Sequence, residues 1–70
     1  MDMIKIGKRI KEIRLENGLS QQKFGDILSV SQDTVSLWEK GKSVPTTELL
    51  ILLANNFDIS IDYILCLKEF

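Results

Sequence analysis

Residues 20–42 read Ser-Gln-Gln-Lys-Phe-Gly-Asp-Ile-Leu-Ser-Val-Ser-Gln-Asp-Thr-Val-Ser-Leu-Trp-Glu-Lys-Gly-Lys, and their punctuation decides the fold. Ser20 and Ser31 are both natural N-caps, since a serine hydroxyl accepts a backbone N–H that the first helical turn leaves free. Apolar residues follow each cap at helical spacing: Phe24, Ile27 and Leu28 after the first, Val35 and Trp38 after the second. Two short helices joined by a turn of about four residues, Leu28 to Ser31, have the dimensions of a helix-turn-helix, placed at 21–40. Phe24, Ile27, Val30, Val35 and Trp38 are assigned to the inside. That leaves Gln32, Asp33, Ser36 and Leu37 on the outer face of the second helix.

Outward from this stretch the chain predicts helix after helix. Upstream, Ile6, Ile10 and Ile13 recur at i, i+4 and i+7 in an amphipathic helix of about 15 residues. Asn17-Gly18 stops it, glycine taking the left-handed conformation cheaply while Leu19 folds back onto the last turn. Downstream, Gly41 stands at a plausible helix end and Pro45 cannot continue a helix. Thr46 caps a fourth, leucine-rich helix, which Phe57-Asp58 interrupts, and Ser60 caps a last segment with Ile61, Tyr63, Ile64 and Leu65. Nowhere do β-branched residues alternate with polar ones over the length of a strand. The expectation is all-α, a compact bundle of five short helices in a single domain, 1–70.

Composition narrows the function. Seventy residues, 44% hydrophobic and 27% charged, suit one small globular domain. The longest uninterrupted apolar run, Leu49–Ala54, is six residues against about 20 for a membrane span. Residues 1–15 never form the apolar stretch of a signal peptide. Cys66 is the lone cysteine, read as a small hydrophobe of the last helix, which fits a reducing cytoplasm. There is no histidine, so the commonest general base and metal ligand is missing. An enzyme is not expected, nor a metal, a cofactor, a small-molecule substrate or a membrane partner. Residues 1–43 hold eight Lys/Arg against six Asp/Glu, net +2, while 44–70 hold one against four, net −3. That asymmetry points the first half toward a polyanion.

The outer face of the second motif helix suits base edges. Gln32 can bond adenine bidentately, Asp33 or Ser36 can meet cytosine N4 or other edges, and Leu37 can pack on a thymine methyl. The run Ser20-Gln21-Gln22-Lys23-Phe24-Gly25, then Val30 through Lys42, then Pro45, resembles the lambda-repressor-like (Xre/Cro) helix-turn-helix family. Leu53-Ala54 and Ile59 through Leu65 are similar to that family's fourth and fifth helices. The resemblance covers roughly residues 4–66.

What the resemblance implies is specific. Gln32, Asp33, Ser36 and Leu37 match positions that read bases in the major groove. Gln21 matches a residue that binds phosphate and braces the first reading residue, here Gln32, and Thr34 one that touches the backbone. Lys40, Gly41, Lys42 and Ser43 match the loop that hugs the phosphates, and Arg14 and Glu39 a partly buried ion pair. Three positions depart from the pattern: Gly25 stands where alanine is usual, and Ser29 and Asp58 where glycine is. Ser29 must then be left-handed or the turn rearranged, and Asp58 is a more tolerable left-handed residue.

Leu50, Leu53, Ala54 and Phe57 match core positions, which turns Leu49 and Leu52 outward, and the last segment holds more apolar residues than one face can bury. A contiguous apolar patch on so small a monomer calls for a cover. A homodimer through Leu49, Leu52, Tyr63, Leu67 and Phe70 is expected, with the chain's own tail as a rival cover. The whole reads as a cytoplasmic, sequence-specific transcriptional regulator, a repressor, binding a double-stranded operator. The rival is an antitoxin-like or anti-repressor module that uses the same fold on a protein.

Overall fold

A computed structural model of the chain describes residues 1–69. Its elements are α1 (Met3–Glu16), α2 (Gln21–Leu28), α3 (Gln32–Glu39), α4 (Thr47–Phe57) and α5 (Ile61–Ile64), with no strand among the described residues. Each helix opens on a side-chain cap. Ser20, Ser31, Thr46 and Ser60 accept from the backbone N–H three residues on, as their spacing predicted. Asp2, which sequence reading passed over, caps α1 by accepting from the N–H groups of Ile4 and Lys5.

The helix ends share one device. Gly18, Ser29, Gly41, Asp58 and Cys66 all have positive φ, between 54° and 74°. After each, the next N–H reaches back to a carbonyl of the last turn: Leu19 to Arg14, Val30 to Gly25, Lys42 to Leu37, Ile59 to Ala54 and Leu67 to Asp62. Ser29 (φ 59°, ψ 39°) and Asp58 (φ 54°, ψ 49°) are therefore left-handed, and the turn keeps its shape without its usual glycine. A Cβ in that conformation costs about 1–2 kcal/mol.

Ile6, Ile10, Ile13, Phe24, Leu28, Val35, Trp38, Leu53 and Ile64 form one core. α1 and α2 both pack on α3, α4 closes over α2 and α5, and α5 returns to α1. Phe24 and Phe57 stack with ring centroids 5.3 Å apart, tying α2 to α4. Two glycines set how closely the first three helices meet. A Cβ on Gly7 would drive into the backbone carbonyl of Trp38, so α1 crosses α3 at backbone contact. A Cβ on Gly25 would lie 2.6 Å from the carbonyl oxygen of Val30, so the motif's turn folds flush onto α2. At Gly25 the glycine is therefore more than a weak helix former standing in for alanine.

Some expectations need correcting. Ile27, assigned to the inside, is 42% exposed, because Phe24 and Leu28 already fill the face α2 turns to the core. The motif's turn is three residues, Ser29–Ser31, since Leu28 still belongs to α2. α5 is a single turn, and Cys66 lies beyond it in the left-handed bend instead of within the helix.

Candidate nucleic-acid interface

α3 is held by its inner stripe. Val35 and Trp38 are buried, which fixes the helix rotation and turns Gln32 and Asp33 fully outward. Leu37, one turn beyond Asp33, is 45% exposed, and Ser36 beside it is half-buried. These four residues form one continuous strip along the outer side of α3. Thr34 is different: its hydroxyl lies 2.9 Å from that of Ser31, within the cap.

The loop after α3 flanks that strip. Lys40 ends the helix, and Lys40 and Lys42 are exposed, with Gly41 and Ser43 half-buried. Gly41 (φ 74°) lies against the first turn of α1, where a Cβ would come within 3.1 Å of Ile4 Cα. The loop is thus clamped between two helices, and its lysines project from a fixed backbone.

Behind the strip sits the ion pair. Arg14 Nε donates to Glu39 Oε2 at 2.7 Å and Arg14 Nη2 to Glu39 Oε1 at 3.0 Å, a bidentate fork. Arg14 Nη1 donates to the Leu19 carbonyl at 2.9 Å, so one guanidinium joins α1, the loop before α2, and α3. Both side chains are at least nine-tenths buried. The hydrogen bond to Glu39 lifts the Arg14 pKa above its already high ordinary value, against burial, which lowers it, and with help from Glu39's charge. A folded-state pKa raised in this way gives stability that is complete below the unfolded value and is lost only in strong alkali.

The Gln21 side chain joins this pair: its Nε2 donates to Glu39 Oε1 at 3.2 Å, and no hydrogen bond links it to Gln32 among the described residues. It stands half-buried at the start of α2, within the polar junction of the three helices.

At the opposite end of the chain the expected apolar positions do not form one set. Leu49 is half-buried and packs against the core. Leu52 (42%) and Leu67 (69%) are exposed, and so is Ile51 (45%), which the spacing argument had not singled out. Tyr63 is half-buried and covered by the chain itself, with the Arg9 guanidinium 4.1 Å from its ring centroid. Phe70 lies outside the described residues. Arg9 also donates to the Tyr63 carbonyl and, at 3.5 Å, to that of Lys68, and it pairs with Glu12 and Glu69. The tail therefore folds back onto α1, in part as the rival cover foresaw.

Sequence reading missed Gly7 and Arg9. An isolated glycine inside a helical pattern is the signal that could have flagged the first. Arg9 meets Tyr63 across 54 residues, which no local pattern announces.

The Helix-turn-helix family description matches residues 10–64. The chain belongs to this family, of the Xre/Cro, lambda-repressor-like type. It is 33% identical over 60 residues to the HTH-type transcriptional regulator ImmR of Bacillus subtilis, covering 86% of this chain and 47% of ImmR. To the antitoxin PezA of Streptococcus pneumoniae it is 36% identical over 55 residues, covering 79% of this chain and 35% of PezA. The chain thus spans between a third and a half of the length of these two relatives. The crystal structure of the P22 c2 repressor in complex with a synthetic operator superposes with a TM-score of 0.79 at 30% identity, covering 84% of this chain and 89% of that one. These likenesses support the all-α architecture of five helices. No helix among the described residues is long and apolar enough to cross a membrane.

Proposed function

We propose that this helix-turn-helix domain regulates transcription as a repressor, by laying α3 in the major groove of an operator. The observation that carries this is the strip Gln32, Asp33, Ser36 and Leu37, exposed but for the half-buried Ser36, on a helix whose position the buried Arg14–Glu39 fork fixes. Gln32 can bond adenine, Ser36 either kind of edge, and Leu37 a thymine methyl. Lys40 and Lys42 neutralise phosphates, the Gly41 and Ser43 N–H groups approach them, and Gln21 and Thr34 sit at the helix starts beside the backbone. The likeness to a repressor solved on operator DNA supports the same placement.

A cytoplasmic homodimer completes the reading. Leu52 and Leu67, with Ile51, are exposed apolar side chains of the second half that a two-fold partner would cover. Such a dimer would set two copies of α3 about one helical turn of DNA apart, roughly 34 Å.

The likeness to PezA favours a second reading, in which the same domain belongs to an antitoxin-like protein that binds another protein. Fluorescence anisotropy on duplex DNA over a salt series separates the two. Contact with phosphates makes affinity fall steeply with salt. An absence of duplex binding at low salt contradicts the operator reading.

A further inference from the structure

The exposed carboxylate of Asp33 is the feature that operator binding leaves unexplained. It lies at the second position of α3, on the strip that faces the groove, where most negative charge would be repelled by phosphates. Among the described residues it has neither an ion-pair partner nor a hydrogen-bond partner, so its oxygens are free. The neighbouring Thr34 and Ser31 hydroxyls are engaged with each other in the cap. The positive end of α3 offsets part of the charge. Asp33 therefore stands beside Gln32, and one turn before Leu37, as a group that only accepts.

Resting on the operator reading above, we infer that Asp33 is a specificity-determining residue that selects cytosine at one position of each half-site. The major-groove edges decide this by exclusion. Guanine shows two acceptors, N7 and O6, and thymine shows the acceptor O4 beside its methyl, so both repel a carboxylate. Adenine offers the N6 amino donor with the N7 acceptor next to it, which sets a lone pair against the second carboxylate oxygen. Cytosine offers the N4 amino donor with only C5–H beside it. Of the four bases it alone offers a carboxylate a donor with no acceptor on its own edge. Much of the selectivity is thus rejection of the other three, which gives an acidic residue a use on a surface that otherwise favours bases by attraction.

Selection of bound sequences from random duplexes tests this with the full chain, Asp33→Ala and Asp33→Asn. Asp33 is exposed and supports no packing, and circular dichroism checks that the variants keep their helices. The expected wild-type motif has one position held to cytosine. Asp33→Ala relaxes that position alone, and Asp33→Asn, which carries both a donor and an acceptor, admits adenine there. Replacing the selected cytosine by N4-methylcytosine, whose methyl takes the place of the groove-side hydrogen, lowers wild-type affinity about tenfold and leaves Asp33→Ala unaffected. A sequence-specific motif whose cytosine preference persists in Asp33→Ala, or one with no cytosine position, overturns the inference while leaving operator binding intact. No selected motif at all overturns the operator reading, and the inference with it.

Discussion

Two arginines on α1, five residues apart, hold the two halves of the molecule by different means. Arg14 reaches α3 through a bidentate fork to a carboxylate that is as buried as itself, and spends its remaining donor on a backbone carbonyl. Arg9 reaches α5 and the tail, and its own side chain is only 11% exposed, yet its partners Glu12 and Glu69 are 62% and 86% exposed. Around Arg14 the helices meet at backbone contact through Gly7 and Gly25. Around Arg9 the last helix is one turn long, and Leu67, beyond it, is open to solvent. The half that must present a strip of side chains in fixed register is locked internally. The other half is held through partners that solvent reaches, while exposed apolar side chains occur in both halves, Ile4, Leu15 and Ile27 in the first and Ile51, Leu52 and Leu67 in the second.

The sharpest way to break this contrast is at the arginines. Arg14→Ala or Glu39→Ala strands a buried charge and should cost about 3 kcal/mol or more in a denaturant melt. The double mutant should lose less than the two singles together, giving a coupling well above 1 kcal/mol. Arg9→Ala, which loses a cation–π contact, hydrogen bonds to two carbonyls and two exposed pairs, should cost about 2 kcal/mol. Similar losses at both sites would erase the distinction between the halves.

Next in size is Gly7→Ala. Alanine gains about 1 kcal/mol of helix propensity over glycine, but the clash with the Trp38 carbonyl forces α1 off α3. A net loss of about 2 kcal/mol is expected, and a gain would show that the helices do not meet so closely. Of opposite sign is Ser29→Gly, which relieves a left-handed Cβ and should raise stability by about 1 kcal/mol. Asp58→Gly tests the same relief in the other half. The smallest effect on the fold belongs to Leu52→Lys with Leu67→Lys. These exposed positions should shift monomer stability by no more than about 0.5 kcal/mol. Sedimentation at micromolar concentration should show a wild-type dimer and a variant monomer; a wild-type monomer with intact helices removes the dimer.

Local signals made most of the fold legible. Four serine or threonine caps, Gly18, Pro45 and the isoleucine spacing of α1 place every helix within a few residues, because caps and periodicity act within one or two turns. The Arg14–Glu39 pair came from the resemblance to a family, not from spacing. Where the reading went astray, the cause was a long-range contact. Ile27 looked buried because its face was judged from α2 alone. Tyr63 seemed free for a partner until Arg9 covered it.

The most direct test compares Gln32→Ala with Lys42→Ala on a selected site and on scrambled duplexes, over a salt series. Gln32→Ala should weaken the selected site by about 1–3 kcal/mol, leave scrambled DNA unchanged and keep the salt slope. Lys42→Ala should weaken every duplex alike and reduce the slope by about one charge. Equal behaviour of the two variants across sites and salts would contradict the division between a base-reading helix and a phosphate-holding loop.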